Sequence, residues 1–310
     1  MVVEWMEGGF FFIQHIDAHH GEQKIKGVEY IGFDVVNIVH FMEGIYMHTV
    51  TSKDGTKIAY DKTGHGPAVI HVAGAMGTRS FGFPDHARLL ESQFTVYNYD
   101  RRGRGESTDT KPFAAEREVE DIEALINEAG DSAYLYGISS GACLVLEAAI
   151  MLESKVKKLA LYEAPYNSDP DDKPIWHDYY TKLNELVAAN KRGDAVVHFM
   201  KFAGVPDNVL EDMRTQPMWS GLEAVAPTLM YDAAAMGGET RLVPVERVAK
   251  VAAPTFIMDG EKSLKMYPFM RTTADALAQA MPNAERRTLK GQGHDVGAKV
   301  LAPVLVEFFS

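Results

Sequence analysis

The residues with the clearest chemical potential stand in a short glycine-flanked segment near the middle of the chain. It reads Gly137-Ile-Ser-Ser-Gly141, after a β-prone apolar run and before residues with helical spacing. A tight strand-to-helix turn at Ser139 would expose one hydroxyl above a sheet, and the two glycines would let neighbouring backbone segments pass closely. The next amide, that of Ser140, would point to the place where an oxyanion forms. The segment therefore predicts a serine nucleophile, with a serine-capped helix N-terminus as the simpler alternative.

Two other groups of residues could suggest different chemistry. The segment Asp100–Ser107 is rich in arginine and glycine, but it lacks the Gly-x-Gly-x-x-Gly pattern and the Lys-Ser/Thr pair of phosphate-binding loops. We interpret it as an architectural turn. Four residues near the N-terminus could imitate a metal cluster, namely His15, Asp17, His19 and His20. A polar turn explains them better, so we predict no metal and no cofactor.

The elements that must position these residues fall into three stretches. Residues 1–46 contain short β-like runs and form an incomplete β-like segment of unknown role, because so short a stretch rarely buries a core of its own. Residues 47–164 and 251–310 alternate short apolar runs with amphipathic helical patterns. This alternation predicts an α/β fold with a mainly parallel sheet flanked by helices.

The third stretch, residues 165–250, interrupts the alternation and is rich in aromatic residues and methionine. Its position between two strands, at the carboxyl edge of the sheet, predicts a helical lid. Periodicity indicates four helical pieces, at Tyr179–Ala188, Ala195–Phe202, Val209–Met213 and Leu222–Met230.

Composition restricts the partners. The 310 residues can form one large α/β core, and a formal net charge of −12 argues against nucleic acid or an anionic membrane surface. The single cysteine, Cys143, excludes an internal disulfide and fits a reducing compartment. No apolar run approaches the length of a membrane span, and the acidic start (Glu4 and Glu7) is unlike a secretory signal. We therefore expect a cytoplasmic protein with a small-molecule substrate, and the sequence leaves its oligomeric state open.

Four motifs in order along the chain resemble those of the α/β-hydrolase superfamily. They are Val72-Ala-Gly-Ala-Met76, Tyr99–Ser107, Gly137–Gly141 and Gly291-Gln-Gly-His294. The resemblance covers residues 47–310 and is to the lidded branch, which contains esterases, haloalkane dehalogenases, haloperoxidase-like enzymes and C–C hydrolases. It implies the α/β-hydrolase fold with a helical lid, in which Asp100 and Arg101 brace the loops near the site.

The same resemblance implies catalytic roles. Ser139 occupies the position of the nucleophile, where dehalogenases carry a carboxylate, and His294 occupies that of the base. The acid departs from the usual pattern, since Ser263 stands where relatives carry an aspartate, and a serine cannot stabilise an imidazolium as a carboxylate does. Three carboxylates could replace it: Glu163, at a strand end that supplies the acid in some lidded relatives, Asp259 and Glu261. We expect Glu163 first and Asp259 second.

The expected oxyanion hole consists of backbone amides. Relatives have a His-Gly turn after the third strand of the core, and this chain has Ala73-Gly74 there. The resemblance implies that the amide of Ala75 acts with that of Ser140, and that Met76 lines the pocket. A glycine-rich strand end without this role is the alternative.

These residues predict a metal-free serine hydrolase that cleaves an ester or related acyl bond of a small, partly hydrophobic substrate through an acyl-enzyme. Two alternatives stay open. The same fold could carry out C–C hydrolysis, a lyase step or perhydrolysis, with the serine or histidine acting mainly as a base. It could also be a non-catalytic protein that only holds a small ligand beneath the lid.

Overall fold

The structure is a computed structural model that describes residues 2–6, 10–17, 24–32, 48–81 and 84–310. The chain divides into two compact units, Met1–Met47 and His48–Ser310. The first unit contains an antiparallel three-stranded sheet, in the order β1 (Val2–Met6), β2 (Phe10–Asp17), β3 (Lys24–Gly32).

The second unit is built on an eight-stranded sheet in the order β11-β10-β9-β8-β6-β7-β5-β4. Strands β6 to β11 are parallel, and β5 and β4 continue one edge in antiparallel pairing. The mainly parallel sheet confirms the predicted α/β fold class. The strands are β4 (His48–Thr51), β5 (Lys57–Gly64), β6 (Ala68–Val72), β7 (Thr95–Tyr99), β8 (Ala133–Ile138), β9 (Val156–Tyr162), β10 (Thr255–Gly260) and β11 (Ala284–Leu289).

Helices cover both faces of this sheet. In β9, Leu159 and Leu161 pack into one apolar cluster while Ala160 and Tyr162 pack into the other, because successive side chains of a strand point to opposite faces. Burial on both faces explains why the central strands are continuous apolar runs in the sequence. The helices around the sheet are α1 (Pro84–Arg88), α2 (Ala115–Glu128), α3 (Ser140–Leu152), α10 (Ser263–Met266), α11 (Phe269–Ala280) and α12 (Ala298–Phe309).

Between β9 and β10 lies a helical insertion, residues 165–250. Its side chains Trp176, Leu183 and Leu222 belong to the same apolar cluster as Val72 of the core, so the insertion shares the hydrophobic core on that face. Its helices are α4 (Asp172–Ala188), α5 (Arg192–Phe202), α6 (Asp207–Arg214), α7 (Trp219–Val225), α8 (Leu229–Ala235) and α9 (Val245–Val248). None of the helices in the described parts of the chain combines the length and the apolar character needed to cross a membrane.

One predicted helix of the insertion was wrong. The piece expected at 222–230 is instead two helices, α7 and α8, joined by a 3₁₀ turn at Ala226–Thr228. Pro227 lies in this turn, and a proline has no amide hydrogen to continue the helical ladder. The break places the start of α8 next to the core, which matters for the site described below.

Candidate active site

Ser139 stands on the tight turn that its flanking glycines predict. It follows β8 directly, precedes the first residue of α3 and has a strained backbone of positive φ, with φ 56° and ψ −130°. A Cβ on Gly137 would lie 2.3 Å from the carbonyl oxygen of Gly141, and one on Gly141 would lie 2.3 Å from that of Val72. Only glycine tolerates such contacts, so both glycines are required by the close passage of three backbone segments. The amide of Ser139 donates to the carbonyl of Tyr162 at 2.9 Å, which ties the turn to β9.

His294 and Glu163 are in direct contact. The Nδ1 of His294 lies 2.6 Å from Oε2 of Glu163, whose other oxygen accepts the Gly260 amide at 2.8 Å. The carboxylate is fully buried, while the imidazole is 44% exposed. An ionised carboxylate only accepts hydrogen bonds, so Nδ1 carries the proton and Nε2 is left as the basic nitrogen. This is the tautomer that a general base needs.

The other two candidate acids have different partners. Asp259 accepts a hydrogen bond from Arg286 at 2.6 Å, and Glu261 accepts the Gly291 amide at 2.9 Å. Ser263 is buried at the start of α10. Of the three carboxylates that the sequence left open, the structure brings Glu163 to the histidine.

The loop that carries His294 is held by hydrogen bonds just before and just after this residue in the chain. Before it, the phenol of Tyr162 donates to the carbonyl of Gly293 at 2.5 Å. After it, Nε2 of His86 lies 2.9 Å from the carbonyl of Val296. Tyr162 is therefore linked to all three candidate residues. Its carbonyl accepts from the Ser139 amide, its phenol donates to Gly293 just before His294, and Glu163 follows it in the chain.

The turn after β6 carries the second expected oxyanion donor. Gly77 closes the turn by donating to the carbonyl of Gly74 at 3.3 Å, and Met76, buried in the apolar cluster beneath the insertion, has φ 61°. A Cβ on Gly74 would lie 3.0 Å from the Cβ of Ser139, so this turn passes close to the serine. Within the described ranges, no acceptor is paired with the amide of Ala75 or of Ser140. Two free N–H groups thus remain beside the candidate nucleophile, as an oxyanion hole requires.

Comparison with known proteins identifies the family of this chain. The model of a family described as the alpha/beta hydrolase family matches residues 58–301. An alpha/beta hydrolase from Sphaerobacter thermophilus DSM 20745 is 47% identical, with a TM-score of 0.76 over 85% of this chain and 100% of that one. The chain belongs to the α/β-hydrolase family. The resemblance found in its four motifs is thereby confirmed.

More distant members share the fold of this α/β hydrolase. A thermophilic esterase from Thermogutta terrifontis is 20% identical, with a TM-score of 0.62 over 85% of this chain and 98% of that one. A meta-cleavage product hydrolase from Pseudomonas fluorescens IP01 is 14% identical, with a TM-score of 0.60 over 84% of this chain and 97% of that one. Their different chemistries mean that membership of the family leaves the substrate open.

Beneath the site of this α/β hydrolase lies a buried cluster of charges that the sequence analysis missed. Arg101 donates to both carboxylate oxygens of Glu118 at 2.8 Å, and Asp232 of α8 accepts hydrogen bonds from Arg101 and Arg104. The segment Asp100–Ser107 is thus the predicted architectural turn, and one of its partners, Asp232, comes from the helical insertion. The one available signal was the lone aspartate in the otherwise apolar run Leu229–Ala235, since a carboxylate in such a helix is buried only with a partner.

Two further predicted features can be placed. Cys143 is fully buried in α3, and burial raises the pKa of its thiol, as expected for a side chain that fills space rather than reacts. The described residues hold no group of three or more His, Cys, Asp or Glu side chains that could bind a metal ion, and His19 and His20 lie outside those residues.

Proposed function

We propose that this protein is a serine hydrolase that cleaves an ester or related acyl bond of a small, partly hydrophobic substrate through an acyl-enzyme. Two observations carry the proposal: the 2.6 Å contact between His294 and the buried Glu163, and the strained turn at Ser139. The amides of Ser140 and Ala75, close to that turn, have no acceptor in the described ranges. Each part of this arrangement matches one requirement of acyl transfer.

In the proposed reaction, the Ser139 hydroxyl attacks the acyl carbon while Nε2 of His294 accepts its proton. The amides of Ala75 and Ser140 donate to the oxyanion that forms, and Glu163 stabilises the imidazolium. The imidazolium then gives its proton to the leaving alcohol, which departs and leaves the acyl group on Ser139. Water, deprotonated by His294, attacks this ester and releases the acid with the free serine.

The helical insertion supports a small substrate, and we propose that it acts as a lid. Its aromatic side chains pack with one another in the apolar core, for example Trp176 with Tyr179 and Phe202 at ring-centroid distances of 5.1 and 5.7 Å. Apolar, aromatic surroundings favour a small, partly hydrophobic acyl group as the substrate.

Labelling with a fluorophosphonate tests the proposal directly, because this probe forms a covalent bond only with an activated serine. We expect one label on wild-type protein, no label on Ser139→Ala and greatly slowed labelling of His294→Gln. His177→Gln, which changes an exposed histidine of the insertion, is the matched control and should react like wild type. Failure of the folded wild-type protein to react would refute the proposal and favour a ligand-binding protein.

Mass spectrometry separates acyl transfer from the other reactions that this fold carries. Incubation with a p-nitrophenyl ester should add one acyl group to the peptide containing Ser139. A labelled serine that never carries an acyl group during turnover would instead favour a C–C hydrolase, lyase or perhydrolase in which Ser139 or His294 acts mainly as a base.

A further inference from the structure

The carboxylate of Asp232 connects the helical insertion to the candidate oxyanion hole. Asp232 lies in α8 and is only 1% exposed. Its Oδ1 accepts hydrogen bonds from the Ser140 hydroxyl at 2.7 Å, from Arg101 at 2.6 Å and from Arg104 at 2.9 Å. Its Oδ2 also accepts a hydrogen bond from Arg104, at 2.8 Å. The residue that supplies one expected oxyanion donor, Ser140, is therefore held by a residue of the insertion.

Arg104 extends this connection to the other expected donor. Its Nη1 donates to the carbonyl oxygen of Gly74 at 2.7 Å and to that of Gly77 at 3.3 Å. Its Nε donates to Thr228, in the 3₁₀ turn that precedes α8, at 3.0 Å. One buried guanidinium thus bridges the insertion and the turn after β6.

The contact with Gly74 has a specific consequence for Ala75, because the two residues share one peptide group. That peptide is trans, so its C=O and its N–H point in opposite directions from the same plane. A donor that fixes the Gly74 oxygen therefore fixes the direction of the Ala75 N–H. Donation to the carbonyl also polarises the amide, and this makes its N–H a stronger donor on the opposite side.

Electrostatics explains why Arg104 needs Asp232. Glu118 neutralises Arg101 through two hydrogen bonds of 2.8 Å, so Asp232 is the carboxylate that remains for Arg104 in the described part of the chain. Burial opposes ionisation of Asp232, but the charges of Arg104 and Arg101 outweigh it and hold the pKa of this carboxyl below its ordinary value. The cluster therefore consists of two positive and two negative side chains, and their charges sum to zero. Buried ion pairs add little to stability compared with apolar packing, so a geometric role better explains this one.

We propose that Arg104, oriented by Asp232 of the insertion, is a positioning residue that aims and polarises the Ala75 amide of the oxyanion hole, while Asp232 also orients Ser140. The proposal rests on the serine hydrolase function proposed above. It makes oxyanion stabilisation depend on the insertion being seated on the core, through the contacts of Asp232 and Thr228 with Arg104 and of Asp232 with Ser140.

The test compares Arg104→Lys with Arg102→Lys. Both arginines are fully buried in the same turn, but Arg102 bonds to Asp121, Asp54 and the Arg117 carbonyl, away from the oxyanion turn.

Lysine keeps the charge but lacks the planar fork that reaches Gly74 and Asp232 together. We expect kcat of Arg104→Lys on a p-nitrophenyl ester to fall about 10- to 100-fold with KM within about threefold, somewhat less than for outright removal of an oxyanion donor. Arg102→Lys should keep kcat within about threefold at a similar loss of thermal stability.

A boronic acid gives a readout that a merely structural role would not change. It forms a tetrahedral anion on the serine, so its inhibition constant should rise in Arg104→Lys by about the factor lost in kcat. Ser140→Ala, which removes only the hydroxyl bond to Asp232, should lower kcat several-fold in the same direction and serves if the arginine variant does not fold. Unchanged kcat in folded Arg104→Lys and Ser140→Ala, or equal losses in Arg102→Lys, would overturn the inference. Fluorophosphonate labelling of the wild type tells the two possible failures apart. If the wild type is labelled, such a result overturns only the role of Arg104. If it is not labelled, the hydrolase function fails and the inference fails with it.

Discussion

Replacing Glu163 by glutamine tests the acid with almost no change in shape. The buried carboxylate accepts two hydrogen bonds, from Nδ1 of His294 at 2.6 Å and from the Gly260 amide at 2.8 Å. Glutamine has one acceptor oxygen and one NH₂ group, so in either orientation the NH₂ faces one of these nitrogens. If it faces His294, the ring must keep its proton on Nε2 and cannot accept the serine proton. If it faces Gly260, a buried N–H loses its acceptor.

The size of the effect follows from these contacts. Loss of a charge-assisted hydrogen bond at a buried site costs about 2–3 kcal/mol, which corresponds to roughly 30- to 150-fold in rate. The shift to the wrong tautomer lowers the active fraction further, and in a Ser-His-Asp triad the equivalent change costs about 10⁴-fold. We therefore expect kcat of Glu163→Gln to fall by about 10³- to 10⁴-fold, with little change in KM because Glu163 does not touch the substrate in the proposed reaction.

Asp259→Asn is the matched control for this experiment. Asp259 is the second candidate acid and is equally buried, but it bonds to Arg286 at 2.6 Å instead of the histidine. Hydrolysis of p-nitrophenyl esters should keep kcat within about threefold of wild type, with a loss of about 1–2 kcal/mol in stability as Arg286 loses a charged partner. Turnover of folded Glu163→Gln within tenfold of wild type, or an equal loss in Asp259→Asn, would refute the assignment of Glu163.

Three further changes have expected outcomes. Tyr162→Phe removes the 2.5 Å bond to Gly293 and should lower both kcat, about three- to tenfold, and the melting temperature; an unchanged kcat would mean that the histidine loop needs no such support. Burial lowers the pKa of His71 to about 4, so only the unfolded chain takes up its proton as the pH falls through 6.5. The contribution of His71 to the free energy of unfolding should therefore fall by about 2 kcal/mol between about pH 7.5 and 5. Measured with urea, the change in stability over this range should differ by about that amount between the wild type and His71→Phe. A chain that begins at Met47 keeps every proposed site residue, so its ester hydrolysis should stay within about twofold of the full chain, and a larger loss would assign the first unit a role in activity.

The sheet and the nucleophile turn were predictable because both depend on local patterns. Strands buried on two faces must be apolar throughout, and a turn as tight as that at Ser139 requires glycine at 137 and 141 for the contacts of 2.3 Å. The contact at Gly137 is made within the turn and that at Gly141 is made with Val72 of β6, but both leave their mark within five residues of sequence.

The acid was harder to predict, because three carboxylates lie at or just after the carboxyl ends of the adjacent parallel strands β9 and β10. Glu163 has a positive φ of 51°, a conformation that glutamate rarely adopts, so its residue type does not predict its backbone. The Asp232 cluster was harder still, since Asp232 and Arg104 are separated by 128 positions and meet only when the insertion docks. Pro227 marks a break before α8, but no periodicity in the sequence indicates that Asp232 meets Arg104.

Backbone strain and function coincide at the carboxyl ends of these strands. Ser139 at the end of β8 and Glu163 at the end of β9 both have positive φ, and such a conformation costs a non-glycine residue about 1–3 kcal/mol. Each is held by its neighbour: the Ser139 amide donates to Tyr162 of β9, and the Glu163 amide donates to Met258 of β10, both at 2.9 Å. The strained residues are therefore kept in place by hydrogen bonds between adjacent parallel strands, whose burial stabilises the sheet. Because each bond runs to the next strand along the sheet, a perturbation of β10 should act on Glu163 more directly than on Ser139.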